Sequence, residues 1–460
     1  MPEHSLWAPC AWIEGCWQQG VLLGIDARGH WSAITPCVTT PPVGATVLAG
    51  PVLPGLVNAH SHAFQRAFAA LAERRDRDAD DFWSWRDRMY GVALRITPAQ
   101  LQAVAAQLYA ELLCGGYTQS CEFHYLQHRE DGRPYDDPAT LSWALAEAAQ
   151  QAGMGLTVLP VLYERAGFSQ PALRPDQRRF ASTASSVYAL YQTIQSAGRS
   201  LLNAGVAIHS LRAVSREGIN ALLRCVQDQA LPLHIHVAEQ TGEVQDCLQA
   251  TGERPIAWLA RERLLDARWQ LVHATHASAG EIEAVRASGA GVVLCPATEA
   301  NLGDGLSDLS GWLGAGVPLS VGSDSQVSRC WAQELRWLEY GQRLGLRQRN
   351  VAAAPALGQA ATAARLFDAV LAGSGHAAGL PRWGLLRGAR ADALVLDTQA
   401  AGLLGVPASH TLDALVFATD APALREVYVA GQRVVAEGRH RQQAQIAQRF
   451  AVAMEELWGA

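Results

Sequence analysis

The chain has 460 residues, 49% hydrophobic and 17% charged, with a mean hydropathy of +0.01 and a formal net charge of -6 at pH 7. That length suits a barrel of about 250 residues joined to a smaller unit, and the slightly acidic balance excludes a basic footprint for nucleic acid or an anionic membrane. All 37 residues counted as lysine plus arginine are arginine, which excludes a Schiff-base lysine, a P-loop lysine and a carboxylated lysine bridging two metals.

The N-terminal MPEHSLWAPCAW has neither the basic start nor the apolar core of a signal peptide, and no uninterrupted apolar run is long enough to span a bilayer. Nine cysteines, an odd number with no Cys-x-x-Cys pair, read as reduced thiols. A cytoplasmic protein is expected. Residues 5–50 alternate short apolar stretches with Gly, Pro and Thr turns, the pattern of a small β unit. From 53 onward buried-strand candidates recur at 53–58, 117–123, 155–162, 205–210, 232–237, 270–274, 290–295 and 317–322. Between them lie stretches with helical periodicity at 98–113, 139–152, 181–203, 217–230, 243–263 and 331–345. Many strands are entered through Gly or Pro, as αβ turns require.

Strands alternating with helices predict an α/β fold, a (β/α)8 TIM-like barrel rather than a doubly wound sheet. After about 380 short strands return at 391–396, 414–417 and 427–435, and an amphipathic helix over 441–457 closes the chain. Neither flank has enough strands to bury a face alone. The expected organisation is therefore a small β-sandwich built from 1–52 and 381–460, the latter including the final helix, around a barrel over 53–380.

The histidines and acids fall at the ends of the strand candidates. His60 and His62 end the first, and their i, i+2 spacing puts both imidazoles on one side of an extended chain. His209 ends the fourth, His236 and then Glu239 the fifth, His273 the sixth and Asp324 the eighth. In a barrel these ends share one rim. His60, His62, His236 and Asp324 supply three imidazoles and a carboxylate, a set that suits zinc and that iron or manganese also satisfy by ligand type. His234, one pleat earlier than His236, reads as a packing residue. Glu239 can shuttle a proton to a substrate nitrogen, and His273 can orient an attacking oxygen. Plainer readings stand beside these: a core histidine for His236 or His273, a strand-end cap for Asp324, a helix N-terminal acid for Glu239.

Together these residues resemble the amidohydrolase superfamily over almost the whole chain, with Gly384-Leu-Leu-Arg-Gly388-Ala-Arg-Ala391-Asp392 similar to its return into the small β domain. With no lysine, and with Glu three residues past the strand-five His, the chain looks like the mononuclear deaminase branch. Within that branch, Asn58-Ala-His-Ser-His-Ala-Phe-Gln-Arg-Ala67, Asp81-Phe-Trp-Ser-Trp-Arg86, Glu122-Phe-His-Tyr125, His209-Ser-Leu-Arg212 and Cys295-Pro-Ala-Thr-Glu299-Ala-Asn301 resemble deiminases acting on N-formimino-L-glutamate in histidine degradation.

The resemblance implies hydrolysis of that dicarboxylate to N-formyl-L-glutamate and ammonia. It assigns Arg86 and Arg212 to the two carboxylates and Gln65, Tyr125 and His209 to neutral substrate contacts. Glu239, His273 and Asp324 take the catalytic roles, Asp324 by accepting the water's proton. Phe82, Trp83 and Trp85 either wall the pocket or pack a rim loop. The competing expectation is an aminohydrolase of a purine or other heterocycle, which shares the metal site but offers no carboxylate to the arginines; a non-catalytic scaffold is the third. A homodimer is expected from fold-level analogy.

Overall fold

In the computed structural model, which describes residues 4–75 and 81–459, the chain opens with an antiparallel hairpin of β1 (His4–Ile13) and β2 (Cys16–Ile25). β3 (Trp31–Thr35) adds to β2, while β4 (Thr46–Val47) and β5 (Val52–Pro54) pair in parallel with β1. At Gly55 the chain leaves this sheet. A Cβ there would lie 2.3 Å from Thr118 Oγ1, so the close approach demands glycine. Beyond it β6 (Leu56–Ser61) enters a second sheet. The single strand expected over 53–58 is therefore two. Val52–Pro54 and the residues after Gly55 are equally apolar, and the Pro-Gly break marks the only change between them.

The second sheet continues through β7 (Tyr117–His124), β8 (Gly155–Leu162), β9 (Leu202–Ala204), β10 (Val206–Ile208), β11 (Leu233–Val237), β12 (Trp269–His273), β13 (Gly291–Leu294) and β14 (Leu319–Val321). All pairings are parallel, running in chain order from β6 to β14 with β9 attached beside β8. Past the end of β14 a parallel bridge joins Ser61 to Asp324, and Asp324 N donates to His60 O at 3.0 Å. Last strand thus meets first, and the barrel comes close to full closure. Every residue of β6, β7 and β8 is buried, because helices cover the outer face while the inner side chains fill the barrel. Outer helices start where sequence signals place them. Thr97 and Gln100 form a capping box ahead of Pro98–Cys114, and Gly153, at φ 74°, stops Thr140–Ala152.

Two helical expectations and one strand expectation shift. The stretch 181–203 forms only Ala184–Gln195, and 243–263 divides into Thr241–Thr251 and Pro255–Arg261 at Gly252 (φ 79°) and Pro255. The run Ala414–Phe417, expected as a strand, lies inside a helix Thr411–Phe417. Leu412, Leu415 and Val416 are buried at helical spacing, a pattern that four apolar residues alone cannot distinguish from a strand.

One helix, packed on β14 and β6, brings its last carbonyls to side chains of four other strands. At the C-terminal end of Thr362–Ala377, Ala377 O accepts from His234 Nε2 at 2.8 Å and from Cys121 Sγ at 3.5 Å, and Ala378 O accepts from Asn203 Nδ2 at 2.8 Å and Thr157 Oγ1 at 3.1 Å. His234 is thus a packing residue tying β11 to this helix.

The chain then returns to the first sheet. β15 (Ala393–Leu396) pairs with β5, and β16 (Leu424–Val429), β17 (Gln432–Ala436) and β18 (Arg439–His440) extend it. N- and C-terminal flanks so share one nine-stranded sheet with its own core, including Leu6, Leu23, Trp31, Ala393 and Val395. The last helix, Gln443–Trp458, packs on Pro98–Cys114. All nine cysteines are free. Among the described residues no helix is long and apolar enough to cross a membrane.

Candidate active site

His60 lies within β6 and His62 just past it. His62 Nδ1 is 3.0 Å from Phe123 O, which fixes the proton on Nδ1 and turns Nε2 toward the barrel axis. There His60 Nε2 is 3.2 Å from His62 Nε2 and 3.0 Å from His236 Nε2. Asp324 Oδ1 is 3.4 Å from His62 Nε2 and 3.5 Å from His60 Nε2. A tetrahedral zinc site with bonds of about 2.0–2.1 Å has ligand-to-ligand edges of about 3.3 Å, and these separations fall around that edge.

The charge states fit as well. Burial pulls the His60 imidazole down to about 3, against the hydrogen bond that Asp324 accepts from it, and lowers His62 and His236 too. Neutral imidazoles facing a carboxylate are what a divalent metal requires. Burial alone would raise the Asp324 carboxyl; the His60 hydrogen bond and the surrounding imidazoles outweigh it and hold the group below the usual carboxylate range. Cys295 is also near His273 and Asp324, but burial raises its thiol and keeps it protonated, a poor ligand state.

Two strand-end turns carry the other titratable groups, and both use left-handed backbone at residues other than glycine. Ala238 (φ 53°) redirects the chain after β11 so that Glu239 faces the cavity, and Glu243 stabilises that turn by accepting from Ala238 N at 3.1 Å and Glu239 N at 3.0 Å. His273 (φ 69°) ends β12. Its Nε2 is 3.7 Å from Glu239 Oε1 and 3.8 Å from Asp324 Oδ2, and its Nδ1 is 3.4 Å from Glu299 Oε1. Burial would lower this imidazole, but Glu239, Glu299 and Asp324 outweigh burial and push it up to about 10. Burial raises Glu239 to about 7 despite the pull of His273. A cationic donor thus stands beside a carboxyl able to carry a proton near neutral pH. Glu243 and Glu299 were not foreseen as site residues. Glu299 belongs to the Cys295-to-Asn301 motif, and Glu243 sits in a helical first turn, yet neither position discloses its partner.

The substrate-side residues share one cavity with this centre. Of the predicted site residues, all but His60 line it; His60, 0% exposed, lies beneath. Gln65 Nε2 donates to Tyr125 OH at 3.3 Å. The His209 ring stands 5.2 Å from that of His236. Phe82 and Trp85 wall the cavity, whereas Trp83 stacks between two cations, with Arg86 Cζ 4.6 Å and Arg212 Cζ 5.2 Å from its ring. The carboxylate nearest Arg86 is Asp87, 3.8 Å away, and Arg212 has no ion pair among the described residues. Two guanidinium groups therefore face the cavity without an ion pair to a carboxylate that lines it, although the charge of Arg212 acts on Glu243 and Glu239.

Residues 52–434 match the model of the Amidohydrolase family. The chain belongs to the amidohydrolase family. This amidohydrolase, a hydrolase by family, is 44% identical over 98% of its length to a formimidoylglutamate deiminase of Pseudomonas aeruginosa, 99% of which is covered. The crystal structure of an amidohydrolase from Brucella melitensis is similar with a TM-score of 0.93 and 40% identity, over 99% of this chain and 100% of that one. At 20% identity an adenosine deaminase from Xanthomonas campestris, solved with bound zinc, shares the fold with a TM-score of 0.82 over 100% of this amidohydrolase and 99% of that chain.

Proposed function

We propose that this amidohydrolase hydrolyses N-formimino-L-glutamate to N-formyl-L-glutamate and ammonia, as a step of histidine degradation. The observation that carries the reading is the pairing of Arg86 and Arg212 in the cavity that also holds Glu239, His273 and Asp324, alongside the 44% identity to a formimidoylglutamate deiminase. A purine ring gives two arginines nothing to neutralise, whereas a dicarboxylate meets both, each charge-assisted bond contributing about 1.5–3 kcal/mol.

His60, His62, His236 and Asp324 would hold one zinc ion. Bound there, the metal supplies a water acidic enough to ionise near neutral pH. The chain's own groups do the rest. Asp324 accepts the proton that the water loses, and His273 donates from Nε2 to hold the attacking oxygen. As oxygen bonds to the formimino carbon, the C=N bond becomes single and the nitrogen takes up charge. Glu239 delivers a proton to that nitrogen, then takes up the hydroxyl proton from the oxygen on carbon and passes it to the same nitrogen. The C–N bond so breaks with its electron pair leaving on ammonia, and the carbon keeps a C=O bond. The proton held by Asp324 then restores that of Glu239. Arg86 and Arg212 bind the carboxylates, while Gln65, Tyr125 and His209 orient the amidine end. Ammonia release assayed from N-formimino-L-glutamate beside guanine and adenosine tests the reading. Turnover of the dicarboxylate alone is expected, and turnover restricted to a purine would overturn it.

A further inference from the structure

Beside the arginine pair the cavity has a second set of donors. Tyr90, in the helix Phe82–Ala93, and Tyr163, just past β8, both line it. Gln177, 1% exposed, lies behind them and donates from Nε2 to Tyr163 OH at 3.0 Å and Tyr90 OH at 3.4 Å. Its Oε1 accepts from Arg174 N at 3.0 Å, so the amide cannot turn over and offer the tyrosines an acceptor. Each phenol oxygen is thus already an acceptor, and each hydrogen must find a partner elsewhere. A bond between the two hydroxyls would use one hydrogen at most. The other has no acceptor among the described residues. The charges nearby are the cations of Arg86 and Arg212, and Arg86 Nε is itself buried without a hydrogen-bond partner. Surplus donors with no acceptor define a corner shaped for anionic oxygen.

We infer that the Tyr90–Tyr163 pair, aligned by Gln177, donates to the carboxylate at the far end of a dicarboxylate substrate and so selects for its length. The inference rests on the functional reading above. Position identifies the carboxylate. The Tyr163 ring lies 4.3 Å from that of His209, which lies 5.2 Å from that of His236. Two rings thus separate the tyrosine from the reacting end. A carboxylate on the carbon bearing the formimino nitrogen is too close to that end to span them, whereas the side-chain carboxylate reaches.

The test uses the full substrate and two analogues. The formimino derivative of 4-aminobutyrate keeps only the far carboxylate, and that of 2-aminobutyrate keeps only the near one. In the double variant Tyr90→Phe/Tyr163→Phe, KM for the full substrate and the far-carboxylate analogue should rise about 10-fold with kcat unchanged, while KM for the near-carboxylate analogue stays constant. Gln177→Glu retains an acceptor for Arg174 N–H but draws the tyrosine hydrogens toward itself, and should reproduce the pattern. An unchanged KM in the double variant, or an equal rise for the near-carboxylate analogue, overturns the assignment. If the unmodified enzyme releases ammonia from none of the three, it is the functional reading that fails. Calorimetric binding of glutarate then decides: about 10-fold weaker binding in the double variant supports the pair, and equal binding overturns it.

Discussion

Glu239 and His273 stand 3.7 Å apart and both are pushed up, the carboxyl to about 7 and the imidazole to about 10. The carboxyl can therefore be emptied and refilled while the imidazole stays charged. Glu239→Gln keeps the shape and removes the proton carrier, so kcat should fall at least about 100-fold with KM little changed; steady-state kinetics check this, and an unaltered kcat would remove Glu239 from the chemistry. Arg212→Ala should raise KM for the dicarboxylate about 10- to 100-fold while leaving turnover of formamidine, which has no carboxylate, unaffected. His236→Ala takes one imidazole from a set whose nitrogens already approach to 3.0 Å, and metal analysis of that variant should show the bound ion lost together with activity. Glu239 and His236 are legible in the sequence, because they end a strand and carry a chemistry that few side chains possess, whereas Arg212 comes from the family resemblance. Glu243 and Glu299 are not legible. Their parts depend on which backbone N–H or ring nitrogen they meet, and turns at Ala238 and His273 with positive φ decide that.

The apolar runs of the barrel strands were readable for the same reason that they fold: strands covered on both faces need no polar alternation. What pattern could not separate was β5 from β6, where both sides of the Pro54-Gly55 break are apolar, or the Thr411–Phe417 helix from a strand. Helix Thr362–Ala377 shows packing reversing a local preference. Exchanging a helical glycine for alanine ordinarily stabilises by about 1 kcal/mol. At Gly373, however, a Cβ would stand 2.1 Å from Leu319 O in β14, and overpacking of that kind costs about 1–3 kcal/mol. Gly373→Ala should therefore lower the midpoint of thermal unfolding, and a raised midpoint would show that helix and strand are less closely seated.

For the molecule as a whole, buried neutral histidines set the acid limit. Burial lowers His234 from 6.5 to about 4 and His124 to about 3. The unfolded chain, with ordinary imidazoles, binds protons first as pH falls. Stability from these groups is therefore complete above about pH 6.5 and declines below it, by about 1.4 kcal/mol per pH unit for each histidine, until the folded values are reached. Denaturant midpoints measured from pH 7.5 to 5 should drop below 6.5. His234→Gln, which keeps a donor for Ala377 O, should make the decline shallower.

The helix whose final carbonyls gather hydrogen bonds from β7, β8, β9 and β11 couples strands that are not neighbours in the barrel. Ala377 O alone ties Cys121 of β7 to His234 of β11. A shift of that one turn would therefore be passed along β11 to His236, two residues beyond His234, so the spacing of the imidazoles can be disturbed from outside the cavity.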